Sequence, residues 1–532
     1  MHREPSRLRT AILALLWCLV SPLVSEARVL IIGVDGASWN VIEPMMEAGE
    51  LPHLSSLARR GIQADLATVE PVTSPVVWTS IATGRSPEAH GVTDFLKTRL
   101  DVRVPTVYER LAQQGVRVGL YDVLMTWPPV ELPNGFVIPG WLRRNDVTTP
   151  ANAAMREDAP IFRTVYDGRV SNRDYLEQAR REVREKVASW HRLDQRYRPE
   201  VGALTFYAVD ATSHRFWHLA FPDGHAAPAT SPEDERAAVF EAVRGVDRAI
   251  GEILEAYGPD DMIVVLSDHG FQAMEPPNLV WVTDFETMAR EAGLDPERDG
   301  FNKVGSFMAV TIRIAPGAFP ERDRTIQKVV ELFDSYRSPE GDPLFFTNVV
   351  DVAPRPPEFA RAWTDRLWQW GVRFVVENIF DTEIDSSAQA MVLALPRSST
   401  LEELWPDGLI RAGDRTLPIH GVVHQQPFTG THHPTAVLIA AGGPIQASSE
   451  RTELSVLDVA PLVLYAAGSP LPDDLEGRLP IEHLDPAVLA ARPPRLVGAA
   501  ALPGLPRDEL AGVVPTDPAL TEKLRALGYL AE

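Results

Sequence analysis

The chain of 532 residues contains a single cysteine, Cys18, inside an N-terminal apolar stretch. Preceded by Trp17, it lacks the small neighbour of a lipoprotein acceptor, and without it the mature chain has neither thiol nor disulfide. Cations are also scarce relative to anions. The formal net charge of -22 at pH 7 excludes a basic nucleic-acid-binding surface. The run 11–24 contains Ser21 and Pro22 and falls short of the roughly 20 apolar residues that span a bilayer. No G-x-S-x-G elbow occurs, which argues against ordinary serine hydrolase chemistry, and no internal repeat is evident.

Hydrophobic residues make up 45% and charged residues 23% of the chain, a globular balance. The length fits about three average domains or one large α/β enzyme with insertions. Arg3, Arg7 and Arg9 precede the apolar run, and Ser25-Glu26-Ala27 places small residues where a signal peptidase reads. Residues 1–27 therefore read as a signal peptide cleaved after Ala27, and the protein as periplasmic or secreted. An uncleaved membrane anchor is the alternative, and the leader is then the only membrane contact.

The segment Arg28 to Asp35, R-V-L-I-I-G-V-D, is an apolar β-branched run that ends on an acid. Such a run reads as a buried strand delivering Asp35 to a sheet edge. The pattern recurs: 201–209 leads into Asp210, and 262–267 leads into Asp268-His269-Gly270. In an open parallel sheet such ends share the carboxyl edge, where ligands bind.

Helices are expected over 39–49, 54–61, 104–114, 172–197, 239–257 and 455–467, with strands over 116–123 and 435–440. Ser74 followed by Pro75 marks a helix start, with Ser74 as N-cap, and Gly84 its end. The many Arg and Glu residues of 172–197 mark a mostly solvated face. Between Gly270 and Gly430 the β-α rhythm is lost. That stretch holds a proline cluster at 354–357 and a Trp-rich helix, Phe359, Trp363, Leu367 and Trp370, read as the packing face of an inserted cap. Beyond Asp485 a linker ends in a short helix over 518–530.

Asp210 and His214 lie four apart, so one helical turn brings both to the same ion. Asp268-His269, His432 and Asp35 add oxygen and nitrogen donors, a mixture that suits zinc or manganese better than calcium. His53, His191, His218, His225 and His483 read as surface or satisfied core residues, and His90 as structural. His420 and His424 stay open. Because His432 precedes its strand while the acids follow theirs, that strand is expected to run antiparallel to the others, or its loop to reach back.

G-V-D-G at Asp35, T-S-P-V-V-W-T-S-I-A-T-G around Ser74, D-x-x-x-H at Asp210, S-D-H-G at Asp268 and G-T-H at His432 occur in an order that resembles the alkaline phosphatase superfamily. The closest resemblance is to its type I phosphodiesterase and nucleotide pyrophosphatase branch. It implies a three-layer α/β/α core over 28–484, with an inserted cap over about 271–429 and a C-terminal linker over 485–532. It also implies two divalent metal ions, zinc or alternatively manganese. Asp210, His214 and His432 would hold one; Asp35, Asp268, His269 and the nucleophile hydroxyl would hold the other.

The implied activity is an exported phosphodiesterase acting on a small-molecule, lipid or glycan phosphoester. The alternatives are a phosphomonoesterase, a phosphoryl-group transferase on lipid or glycan head groups, and a non-catalytic phospho-ligand-binding homologue. Two dications, three carboxylates and an alkoxide sum to about zero charge, which favours a monoanionic diester. The family's asparagine shortly after His-Gly is replaced here by Val92-Thr93-Asp94-Phe95, which weakens the case for nucleotides. Position before proline selects Thr73 as nucleophile, and distance to Thr83-Gly84 selects Ser74. Ser74 is preferred, as is His432 over the adjacent His433. A sulfatase with a modified cysteine is excluded.

Overall fold

A computed structural model describes residues 27–505 except 96, 144–146, 152, 159–171, 223–231, 284, 300, 306–309, 315–320, 352–389, 398–399, 402–403 and 405–407. The leader, His225, the proline cluster, the Trp-rich helix and the helix expected over 518–530 lie outside the described residues.

The central sheet consists of β1 (Val29–Val34), β2 (Gly61–Ala67), β3 (Val118–Val123), β4 (Phe136–Pro139), β5 (Val201–Phe206) and β6 (Met262–Leu266), together with two later strands. Between β6 and those strands, β7 (Gly270–Thr283) and β8 (Val423–His433) form a separate antiparallel ribbon. The later strands are β9 (Thr435–Ala441) and β10 (Arg451–Ser455), and the eight run in the order β10-β2-β9-β6-β1-β5-β3-β4. Pairing is parallel throughout except at β9, which is antiparallel to both β2 and β6, as the position of His432 before its strand predicts.

β1 and β5 are buried along their whole length, as parallel strands covered on both faces must be. The helices of the core include, among the described residues, α1 (Trp39–Glu47), α2 (Pro52–Arg59), α3 (Ser74–Thr83), α4 (Val107–Gln113), α5 (Asn172–Tyr197), α6 (Ala208–Ala220), α7 (Ala238–Leu254) and α8 (Val459–Ala466). Glycines show which helix covers which face. A Cβ on Gly33 or Gly202 would collide with Trp78 of α3 or Trp190 of α5, respectively. Gly33 pairs with Thr205 in β5, three positions from Gly202, and strand side chains alternate faces. Helices α3 and α5 therefore lie on opposite sides, giving three layers.

Several boundaries differ from expectation. Gly61 opens strand β2 rather than ending a helix, and β4 is an additional edge strand. Strand β5 stops at Phe206 and α6 begins at Ala208, so Asp210 sits in the first turn of a helix. Thr73, not Ser74, is the N-cap of α3, which leaves Ser74 and Pro75 as its first helical residues. Helix α5 buries Glu182 and Lys186; the two charges pair with each other, and Lys186 also pairs with Asp122 and bonds the Thr205 carbonyl of β5.

Residues 285–423 carry their own hydrophobic cluster, with Phe285, Phe333, Phe345 and Val392 at its centre. Its sheet is antiparallel, ordered Phe345–Asp351, Ala390–Pro396, Val310–Ile314, Phe301–Gly305. The ribbon joins this unit to the core, and at its base Phe271 pairs with His432 and Gly270 with His433. Among the described residues no helix is long and apolar enough to cross a membrane.

Candidate metal centre and active site

The three acids and three imidazoles singled out in the sequence meet at the carboxyl edge of β1, β5 and β6. Asp35 follows β1 directly, Asp268 and His269 follow β6, and Asp210 and His214 lie one turn apart on α6. His432 arrives on the end of β8.

The donor atoms fall into two sets. Asp210 Oδ1 lies 3.4 Å from His214 Nε2 and 3.7 Å from His432 Nε2, and the two Nε2 atoms are 3.1 Å apart. In the other set, His269 Nε2 is 3.6 Å from Asp35 Oδ1, 3.3 Å from Asp268 Oδ2 and 3.4 Å from Ser74 Oγ. Ser74 Oγ is in turn 3.5 Å from Asp35 Oδ1. Ligands 2.0–2.1 Å from a tetrahedral ion are separated by about 3.3 Å, so both sets have the spacing of a coordination shell. The sets adjoin, with His269 Nε2 3.9 Å from Asp210 Oδ1.

The imidazoles are oriented for cation binding. Nδ1 lies 3.0 Å from Gly430 O in His214, 2.7 Å from Val72 O in His432 and 3.1 Å from Gly270 O in His269. A carbonyl only accepts, so each Nδ1 carries the proton and each Nε2 turns a lone pair inward, as in metal-bound histidines. Three lone pairs and three carboxylates facing one another repel unless a cation lies among them. Asp268 Oδ2 is buried with no hydrogen-bond partner among the described residues.

The titration behaviour has the same origin. Burial, followed by repulsion from Asp268 and Asp210, pushes the Asp35 carboxyl well above the usual carboxylate range. Burial and Asp210 push Asp268 up to about 7. Burial and His214 pull His432 down to about 4, while burial and His432 pull His269 well below its ordinary value. The chemistry of the donor set thus fits two divalent ions.

The other candidates separate clearly. Thr73 Oγ1 is buried without a hydrogen-bond partner among the described residues, and Thr73 makes no side-chain cap bond to α3. His433 uses Nδ1 to accept the amide of Thr435 at 3.1 Å, which commits it to the turn between β8 and β9. His218 faces Thr429 and His483 faces Thr452. His90 resembles half of a catalytic dyad, since Nε2 lies 2.9 Å from Ser80 Oγ. Its Nδ1 accepts the Val92 amide at 3.1 Å, so Nε2 is the donor and His90 is no base for Ser80.

Two features were not foreseen. The Trp78 indole donates to Asp35 Oδ2 at 3.0 Å. Near the cluster, Lys186 Nζ is bonded to Glu182 Oε1, to Asp122 Oδ2 and to the Thr205 carbonyl. This buried cation is thereby neutralised.

A type I phosphodiesterase / nucleotide pyrophosphatase family model matches residues 29–366. The chain belongs to that family. It is accordingly an enzyme of the phosphoric diester hydrolase type. No curated protein matches it. Among solved structures, human ectonucleotide pyrophosphatase/phosphodiesterase 5 is similar at 12% identity and a TM-score of 0.38, over 86% of this chain and 100% of that one. The murine counterpart, also solved as an inactive variant in complex with AMP, gives 13% identity and a TM-score of 0.37 over the same shares.

Proposed function

We propose that the protein is an exported phosphodiesterase with two metal ions and Ser74 as its nucleophile. The observation that carries this reading is the pair of donor sets with coordination-shell spacing, one of which includes the Ser74 hydroxyl. Asp210, His214 and His432 would hold one ion, and Asp35, Asp268, His269 and Ser74 the other. Ligation by nitrogen and oxygen favours zinc, with manganese as the alternative. Bound there, two dications supply Lewis-acid polarisation of the phosphoryl oxygens and acidify the nucleophile hydroxyl.

The chain's own groups do the rest. Ser74, at the first turn of α3, loses its proton to solvent and attacks phosphorus. A P–O bond to Ser74 forms, the P–O bond to the leaving alcohol breaks, and that alcohol leaves with a proton from water. Water then cleaves the P–O bond to Ser74 in this seryl diester, which still carries the second alcohol, restoring the Ser74 hydroxyl and releasing a monoester. The positive N-terminal end of α3 favours the anionic phosphoryl group beside Ser74.

Charge favours a diester. Three carboxylates and an alkoxide balance two dications, and Lys186 is already paired with Glu182 and Asp122. A neutral centre suits a monoanionic phosphodiester better than a dianionic monoester. The antiparallel unit within 271–429, reached by the β7–β8 ribbon, is proposed as the cap that selects the substrate.

The test is a panel on zinc-loaded and manganese-loaded protein comparing a chromogenic diester, a monoester and a pyrophosphate. The diester should be turned over fastest, and a clear preference for the monoester would overturn the reading. Mass spectrometry of protein recovered outside the cytoplasm should give an N-terminus at Arg28. An intact Met1 on membrane-bound material would show the leader to be an anchor.

A further inference from the structure

Asp35 places only one carboxylate oxygen in the donor sets. Its Oδ1 faces Ser74 and His269, while Oδ2 accepts the Trp78 indole N–H at 3.0 Å. Trp78 is 5% exposed and lies one turn after Ser74 on α3. Another buried indole behaves differently: Trp39 Nε1 donates to a backbone carbonyl, that of Ala64, at 3.1 Å. Trp78 instead spends its one polar atom on a carboxylate of the candidate site.

The backbone beneath the indole is shaped for it. Two residues before Asp35, β1 carries Gly33, where a Cβ would stand 2.6 Å from Trp78 Cη2, 2.9 Å from Thr205 Oγ1 and 3.0 Å from Thr205 Cγ2. Contacts under 3.0 Å require something to move. The groups that would have to move are the Thr205 hydroxyl and the rigid indole, which makes the tighter of the contacts and is held at its other end by α3. Glycine at position 33 thus lets the indole lie against the strand and reach the acid at its end.

We propose that Trp78, seated on Gly33, is a positioning residue that fixes Asp35 as a one-oxygen metal ligand and ties it to the helix carrying Ser74. Pinning Oδ2 prevents the carboxylate from rotating and presents Oδ1 in a single orientation, the role that outer partners of ligating carboxylates play. Because donor and nucleophile share α3, a shift of the helix moves Ser74 and Asp35 together. The inference rests on the two-metal reading, and its test begins by checking that reading.

Wild-type protein stripped with a chelator is titrated with zinc by calorimetry and assayed with bis(p-nitrophenyl) phosphate. Failure to bind two equivalents would overturn the two-metal reading itself. With that established, Trp78→Phe removes the N–H and keeps an aromatic ring. One equivalent should bind as in wild type and the other 10- to 100-fold more weakly, with a comparable fall in kcat and little change in KM. Gly33→Ala, which crowds the indole at 2.6 Å and Thr205 Oγ1 at 2.9 Å without altering the indole's chemistry, should weaken the same equivalent, and should do so equally in a Thr205→Ala background, where the second contact is gone.

The double variant Trp78→Phe with Gly33→Ala should lose less than the product of the two single losses, because both act through one contact. Two equivalents of wild-type affinity in folded Trp78→Phe, or losses that multiply, would overturn the proposal while leaving the two-metal reading intact. If Trp78→Phe does not fold, Gly33→Ala in the Thr205→Ala background decides, compared with Thr205→Ala alone: the same affinity for both equivalents would overturn the role of Trp78, and selective loss of one would support it.

Discussion

His214 and His432 present their Nε2 atoms to each other at 3.1 Å, and each is committed through Nδ1 to a backbone carbonyl. With both lone pairs pointing inward beside Asp210, this arrangement costs free energy without a cation and is favourable with one. Metal should therefore raise the melting temperature, by the equivalent of about 2.7 kcal/mol for each ion at 100 times its Kd. His432→Ala relieves the repulsion but removes a ligand. In chelator it should melt at or above the wild-type temperature, and in zinc it should lose the share of the metal-dependent rise that belongs to the ion held by Asp210 and His214, about half. An unchanged rise in the variant would remove His432 from the site.

Ser74 and Thr73 are adjacent, yet only Ser74 has its hydroxyl within 3.5 Å of Asp35 and His269. Ser74→Ala should lower kcat on a diester by at least about 1,000-fold, as loss of a nucleophile does. Thr73→Ala should stay within tenfold. It should also cost less than the usual ~1 kcal/mol of an N-cap replacement, because the Thr73 side chain makes no cap bond. Near-complete loss in the Thr73 variant, with activity remaining in the Ser74 variant, would reverse the assignment.

The parallel strands and their terminal acids were legible in the sequence because burial on both faces writes an unbroken apolar run, and Asp35 and Asp268 end two such runs. The helical turn joining Asp210 to His214 was legible from their spacing, but the point where β5 ends and α6 begins was not, since the apolar letters of β5 continue into α6 without a break. Strand β2 was missed: G-I-Q-A-D-L-A is short and half polar, and its pairing with β9 comes from residues more than 300 positions away. The partners that orient the site were the least visible. Val72, Gly270 and Gly430 act through carbonyls, which every residue has, and Trp78 was readable as a helix residue but not as the donor to Asp35.

His90 is fully buried, and burial pulls its imidazole down to about 4. The unfolded chain takes up a proton near pH 6.5, and the folded one only near 4. Stability from this residue is therefore complete above about 6.5 and lost as pH falls towards 4, by at most about 3 kcal/mol. Urea unfolding of wild type and His90→Gln across that range should show a shallower acid limb in the variant. Parallel limbs would mean that His90 is protonated in the folded protein.

Lys186 is buried between Glu182 and Asp122, and Glu182 Oε1 also accepts the amide of Tyr207, the N-cap of α6. The network thus anchors the start of the helix that carries Asp210 and His214. Lys186→Met removes the cation bonded to both Glu182 and Asp122, leaving Asp122 with Arg143 at 3.9 Å, and should cost up to about 3–5 kcal/mol at pH 7, the usual penalty for breaking a buried pair. Glu182→Gln keeps an acceptor for the Tyr207 amide and removes one of the two negative charges that Lys186 offsets. The double variant Glu182→Gln with Lys186→Met should therefore recover a substantial part of the loss in urea unfolding. If the double variant is as unstable as Lys186→Met alone, the lysine acts through packing of its alkyl chain, and the charge network does not hold α6 in place.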